Sequence, residues 1–478
     1  MAYYEQVTME NPIVASFAKS ARFPPSFTSW LTKELSNFYV PLTTTRTRCL
    51  GEDCHLSCHS LSINPTFFFG DTSMARSVQL RGGFCFRAHA TRFKFFIELV
   101  NFYVSTTRFT GVSREIFCKR SHHAKDEIHG ANLASKFFHR VEIPRISTAG
   151  QLLYPFWRGT TESDLRLSYA RGGHTDSSAI GTVLHVELVK AEDALRAYRK
   201  SLSLDAQCER PDDKVQRFFY DRVLDNVRFK EFYGAGVRIR DECIPAKKFL
   251  ELRWCINGKE YPCLRTLFEN ALDVTDPKSF QVSSCPIAFG LGDAHGGNIL
   301  VSSAPQERSG CKVLFVDYEV AGFHPVMLDL AKPLYNDVFF KTLYSDLLPA
   351  TSETGLNYEV TNGTIIVQFS PVIDIMAQAV LNIKTRYLIC PLCDEVENIG
   401  ISLETFVPLL SNALLLCATL TRNFVKDEKA LIRNFTAGIL LAGAMDWVQL
   451  GESFQRLGFD GRCWQMLNKG ERCKVASS

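Results

Sequence analysis

Gly290–Val301 reads GLGDAHGGNILV, and after a turn Lys312–Ala331 reads KVLFVDYEVAGFHPVMLDLA. Pro286–Phe289 before the first stretch and Ile299–Val301 at its end are short apolar runs of strand character. Between them, Gly292, Gly296 and Gly297 let the chain bend sharply, because glycine takes positive φ with no Cβ penalty. The resulting loop displays Asp293, His295 and Asn298. Val313–Val316 is a third apolar run, and it ends at Asp317, which delivers a second carboxylate to the same edge. Two carboxylates and a carboxamide can converge there.

Phosphoryl transfer from ATP needs such a set: one carboxylate to orient the attacking hydroxyl and take its proton, and oxygen ligands for the Mg²⁺ that bridges the nucleotide phosphates. Asp293 suits the first role, and Asn298 and Asp317 suit the second. A bare D-x-x-x-x-N carries little weight. The order of parts behind it carries more, since a glycine-rich turn with solvated Asp and Asn caps does not account for the downstream residues.

Over about 40 contiguous residues this arrangement resembles the aminoglycoside phosphotransferase and choline kinase families, which share the protein-kinase-like fold. Their pattern is His-Gly-Asp, four residues, Asn, an apolar strand ending in Ile-Asp-Trp/Tyr-Glu, then Asp-Leu/Ile-Ala. The chain has Leu291-Gly292-Asp293, Asn298, Val316-Asp317-Tyr318-Glu319 and Asp329-Leu330-Ala331. Only the leading His is replaced, by Leu291, which touches loop rigidity more than chemistry. The resemblance implies that Asp329 sits at a helix start and accepts backbone N–H bonds from the loop. His295 either touches phosphate or acceptor or, as the commoner case, stabilises the loop.

That fold also implies a nucleotide-covering sheet upstream, with a lysine on its third strand and a glutamate on the helix that follows. Ser113–Ser121 is a strand candidate carrying Lys119, and Glu127, with Asp126 beside it, opens a helix-compatible stretch, Ala124–Phe138. Lys119 would hold the α/β-phosphates and pair with Glu127, although their separation is short and an exposed surface pair is the competing reading. Leu152–Trp157 is then the hinge strand. For the phosphate-covering turn, Phe67–Ser77, with Gly70, Thr72 and Ser73, ranks above Leu80–Phe84, and an ordinary hairpin turn competes for both.

Around this core the rest is consistent. Of 478 residues, 46% are hydrophobic and 22% charged, which excludes a disordered tail or fibre and leaves room for two or three coupled units. A net charge of +3 is too small for a broad nucleic-acid or membrane footprint. Sixteen scattered cysteines and a start without signal-peptide order point to a reduced, cytoplasmic protein. The apolar runs Val407–Leu420 and Phe435–Met445 are too short to span a bilayer and read as buried helices. Thr175–Leu202 and Asp213–Tyr233 have the spacing of amphipathic helices, and Asn257-Gly258 and Asn362-Gly363 signal hairpins. Cys49, Cys54 and Cys58 with His55 and His59, and Cys390 with Cys393, offer zinc ligands, but unligated thiols packed as small apolar residues are the commoner outcome.

The expected architecture is α+β, a two-lobed protein-kinase-like fold with a small antiparallel-sheet N-lobe (61–156) and a mainly helical C-lobe (157–478), preceded by an extension (1–60). The expected activity is ATP- and Mg²⁺-dependent phosphorylation of a hydroxyl on a small molecule. The alternatives are a protein kinase and a non-catalytic scaffold. The connection from Asp317 to Asp329 is too short for an activation loop, which favours the small acceptor.

Overall fold

A computed structural model of the protein describes residues 76–78, 102–109, 112–119, 121, 123–147, 151–155, 157, 159–171, 177–202, 214–303, 311–347, 355–371, 374–460 and 464. The turn residues Gly70, Thr72 and Ser73 and the Cys49, Cys54 and Cys58 cluster lie outside them.

The first sheet is antiparallel, with strand order β1-β2-β3-β5-β4. Its strands are β1 (Arg76–Val78), β2 (Phe102–Phe109), β3 (Val112–Lys119), β4 (Arg145–Ile146) and β5 (Leu152–Pro155). Helix α1 (Ala124–Phe137) connects β3 towards β4. Its small residues Gly130, Ala131 and Ala134 form the buried face. That composition lets the helix backbone approach its neighbours closely.

Strand β6 (Thr160–Thr161) leads into α2 (Glu162–Arg171), α3 (Ser177–Ser201), α4 (Lys214–Val223) and α5 (Val227–Tyr233). A small hairpin, β7 (Val237–Ile239) and β8 (Glu242–Ile244), follows, then β9 (Arg253–Ile256), β10 (Lys259–Tyr261) and α6 (Leu264–Thr275). Next come the loop strands β11 (Ile287–Gly290), β12 (Ile299–Ser303), β13 (Cys311–Phe315) and β14 (Gly322–Pro325), which feed α7 (Val326–Val338). After β15 (Gly355–Thr361) and β16 (Thr364–Ser370) the chain is helical: α8 (Ile375–Lys384), α9 (Cys390–Asn398), α10 (Phe406–Leu420), α11 (Glu428–Leu441) and α12 (Trp447–Arg456).

Both Asn-Gly pairs turn with positive φ at each residue, 49° and 78° at Asn257-Gly258 and 46° and 72° at Asn362-Gly363. Such turns match the twist of the strands they join. The two hairpins then merge into one sheet, because β16 pairs in parallel with β9.

Every residue of α10 is buried. A helix apolar all round belongs at the centre, and α6, α7 and α11 pack around it. Each buried Leu on it contributes about 1.5–3 kcal/mol of transfer free energy. A second, smaller apolar cluster joins α1 and β5 to the loop strands through Phe138, Tyr154, Phe289, Phe315 and Tyr318. Among the described residues, no helix is long and apolar enough to cross a membrane.

Candidate active site

Strand β3 ends at Lys119, and Glu127 lies in the first turn of α1, where the helix dipole favours a carboxylate. Only a short link separates the two elements, so eight positions suffice for contact. Lys119 Nζ lies 2.7 Å from Glu127 Oε2 and 2.7 Å from Asp317 Oδ1. Glu127 is completely buried, whereas Asp126 is half-exposed beside His123. In β5, Tyr154 stands opposite Phe117 and Leu152 opposite Lys119, which puts Tyr154 on the Lys119 face of the sheet. Its hydroxyl donates to Glu127.

Asp317 has φ 69°, a left-handed conformation that a non-glycine residue rarely takes. It turns the chain straight after β13. Ligand atoms of Glu127, Asp317 and Glu319 lie within 4.8 Å of one another. Burial, with Asp317 beside it, pushes the Glu319 carboxyl up to about 7. Burial likewise raises Glu127 against the pull of Lys119. It also disfavours the Lys119 charge, but Asp317 and Glu127 outweigh that and hold the ammonium above its ordinary value.

Asn298 joins the same edge through the β12–β13 ladder: Val316 N–H donates to the Asn298 carbonyl at 3.0 Å, next to Asp317. Its side-chain Nδ2 donates to the Asp293 carbonyl at 2.9 Å, which closes the loop on itself. Gly292 has φ +71°, and a Cβ there would stand 2.7 Å from the Val320 carbonyl, so both conformation and space exclude a side chain. Its N–H donates to Asp329 Oδ1 at 2.6 Å from the first turn of α7, and the Tyr198 hydroxyl donates to the other Asp329 oxygen. His295 accepts the Gly297 N–H at Nδ1, 3.0 Å away. Burial lowers its pKa, which keeps the ring neutral, with the proton on Nε2 facing Asp293 Oδ1 at 3.4 Å.

Asp293 is only partly exposed, and its Oδ2 is paired with Lys332 Nζ at 2.5 Å. Lys332 was not anticipated from the sequence. It follows Asp329-Leu330-Ala331 directly and shares a helix face with Asp329, three positions earlier, which is the signal that existed.

Behind the loop, Glu162, Arg166, Glu187, Lys190, Asp337 and Lys384 form a buried cluster of three cations and three anions. Lys190 Nζ lies 2.8 Å from Glu162, 3.0 Å from Glu187 and 2.7 Å from Asp337. Lys384 Nζ lies 2.9 Å from Glu187 and 3.0 Å from Asp337, and Arg166 pairs with Glu162 and Glu187. Asp337 Oδ1 also accepts the Gly296 N–H at 2.9 Å, so the cluster anchors the loop. Burial alone would raise the Asp337 pKa, but Lys190, Lys384 and Arg166 hold it well below the ordinary carboxylate range. The three carboxylates approach as closely as metal ligands do, yet the protein's own cations stand among them. Spacing of i,i+4 and i,i+3 in Glu162/Arg166 and Glu187/Lys190 was the visible trace of this cluster. A cavity of about 40 Å³ between Tyr198, Asp329, Lys190 and Leu388 has room for water and not for a nucleotide.

Lys119, Glu127 and Asp317 thus meet at one edge, Asn298 adjoins it through its backbone carbonyl, and Asp293, His295 and Asp329 form or brace the neighbouring loop. Cys390 and Cys393 are buried on α9.

No protein-family model matches the chain. No curated protein matches it either. Among solved structures it is similar to an ethanolamine kinase of Plasmodium vivax, at 10% identity and a TM-score of 0.34, over 77% of this chain and 78% of that one. It is also similar to a spectinomycin phosphotransferase crystallised with ADP and spectinomycin, at 11% identity and a TM-score of 0.28, over 78% of this chain and 90% of that one.

Proposed function

We propose that the chain is an ATP- and Mg²⁺-dependent phosphotransferase that moves the γ-phosphoryl group to a hydroxyl of a small molecule, within a two-lobed kinase-like fold. The observation that carries this reading is the Lys119 ammonium held between Glu127 of α1 and Asp317 at the loop edge, 2.7 Å from each. It fastens the sheet to the acidic edge that phosphoryl transfer requires.

The donor set fits a divalent ion. Glu127, Asp317 and Glu319 crowd together with one lysine among them, and burial first, with Asp317 second, raises the Glu319 pKa. Asp317 and the carboxamide oxygen of Asn298 are the residues that would hold Mg²⁺, which when bound neutralises charge on the phosphates. Lys119 is placed to hold the α/β-phosphates, and Gly70, Thr72 and Ser73 are assigned to the covering turn. Asp293 orients the acceptor hydroxyl and takes its proton. Asn298, Asp329 and Asp337 fix the loop that presents it.

The short Asp317–Asp329 connection is occupied by β14 and the start of α7, which supports a small acceptor over a polypeptide. The test is ADP release from ATP and Mg²⁺ across an acceptor panel, with thermal melting beside it. Wild type should be stabilised by ATP with Mg²⁺, and Asp293→Asn should lose turnover by about 10²–10⁴-fold while keeping that stabilisation. A wild-type melt that ATP and Mg²⁺ leave unmoved would overturn the reading.

A further inference from the structure

Beside Asp293, two cations share one aromatic ring. Lys332 Nζ lies 4.4 Å from the centre of the Phe218 ring and the Arg222 guanidinium carbon 3.5 Å from it. Phe218 is half-buried, whereas Lys332 and Arg222 are 1% and 5% exposed. The two α4 residues sit one helical turn apart, so ring and guanidinium stack on one face.

Lys332 has the Asp293 carboxylate. Among the described residues Arg222 pairs with no carboxylate, and its hydrogen-bond partner is the Thr421 hydroxyl, at a long 3.5 Å. Asp293 and Glu231 act on it only at a distance, the first being paired with Lys332 and the second with Arg228 at 2.7 Å. The Cys417 thiol near it is pushed up to about 12 by burial, so it brings no charge. Burial depresses the Arg222 pKa to about 9, as expected of a desolvated cation without a counterion. The six-residue cluster behind the loop, by contrast, balances three against three. A buried guanidinium left unmatched is costly, and its planar fork suits a carboxylate or phosphate.

We propose that Arg222 and Lys332, either side of Phe218, form an anion-binding subsite of the acceptor pocket, so that the acceptor is a hydroxyl compound bearing a carboxylate or phosphate group rather than an amino alcohol. The inference rests on the phosphotransferase reading. With the anion seated on Arg222, the acceptor hydroxyl faces Asp293 and gives it the proton. The acceptor oxygen forms the new P–O bond, and the bond between the γ-phosphorus and the bridging oxygen breaks, with its electron pair leaving on ADP. A cationic acceptor would instead meet like charge.

The test has two arms. In the first, ADP release is measured with ethanolamine, glycerol, glycerate and glucose 6-phosphate as acceptors. The expected result is at least a tenfold higher kcat/KM for glycerate or glucose 6-phosphate, whichever source of anion the pocket takes, than for glycerol. In the second, sulfate binding to the full chain is measured by calorimetry with no nucleotide. Arg222→Gln should weaken it at least tenfold, and Lys332→Met should weaken it too, each variant being checked for native circular dichroism and melting. Preference for ethanolamine, or sulfate binding equal in wild type and both variants, overturns the inference and leaves the phosphotransferase reading standing. Arg222-dependent sulfate binding without ADP release on any acceptor supports the anion site and removes the catalytic reading instead.

Discussion

Gly130 of α1 lies directly beneath the carbonyl oxygen of Tyr318: a Cβ at that position would stand 2.0 Å from it. No side chain fits there without moving the backbone on one side or the other. The helix therefore rests on the segment just after Asp317, and Glu127, three residues before Gly130, is brought within reach of Lys119 and Asp317. Gly130→Ala should displace α1, lower stability by about 1–3 kcal/mol, and weaken stabilisation by ADP with Mg²⁺. Denaturant melts with and without nucleotide check this; an unchanged midpoint would mean that the helix yields freely.

Lys119 serves two carboxylates, so its loss strands both. Lys119→Met should destabilise by about 3–5 kcal/mol, the range for removing one partner of a buried ion pair. In the double variant Lys119→Met/Glu127→Gln one of the stranded charges is gone. Its loss should be smaller than the sum of the two single losses, and a double-mutant cycle measures the difference.

Asp329 titrates inside the fold. Burial pushes its carboxyl up to about 6 from an ordinary 3.8, against the opposing pull of the Tyr198 hydroxyl and the Gly292 N–H. The folded state then keeps a proton that the unfolded chain has released. Its contribution to stability is present below about 4 and is lost as pH rises to about 6. Asp329→Asn keeps an oxygen for Gly292 N–H and removes the titration. The stability of wild type relative to this variant should fall between pH 4 and 6 and stay level above; a flat difference across that range would remove Asp329 as the titrating group.

The six-charge cluster behind the loop is balanced, and single changes unbalance it. Lys384→Met leaves Glu187 and Asp337 short of a cation and should cost about 3–5 kcal/mol. Adding Glu187→Gln restores neutrality and should recover part of that loss. Chemical denaturation of the three proteins decides it, and a double variant no more stable than Lys384→Met would argue against charge balance as the cause.

Much of the site was legible in the sequence because it is local. Asp293 and Asn298 share one glycine-bent loop, and the apolar strand ending at Asp317 pairs with the strand that follows Asn298, so short-range chain geometry brings them together. The Asn-Gly hairpins and the buried character of α10 were legible for the same reason: backbone preference and hydrophobic period are properties of neighbouring residues.

What tertiary structure alone decided is who faces whom across long stretches of chain. The Lys119–Asp317 contact spans 198 positions, the Lys190–Asp337 pair 147, and the meeting of Phe218 and Arg222 with Lys332 joins α4 to α7. A charged residue on an amphipathic helix has the same local pattern whether it meets water or a buried counter-charge. Packing settles which, because in the interior desolvation makes the presence or absence of a partner decisive. So the sequence determined a loop able to present Asp293, while the fold determined that an ammonium stands against it and that a buried guanidinium shares that ammonium's aromatic neighbour.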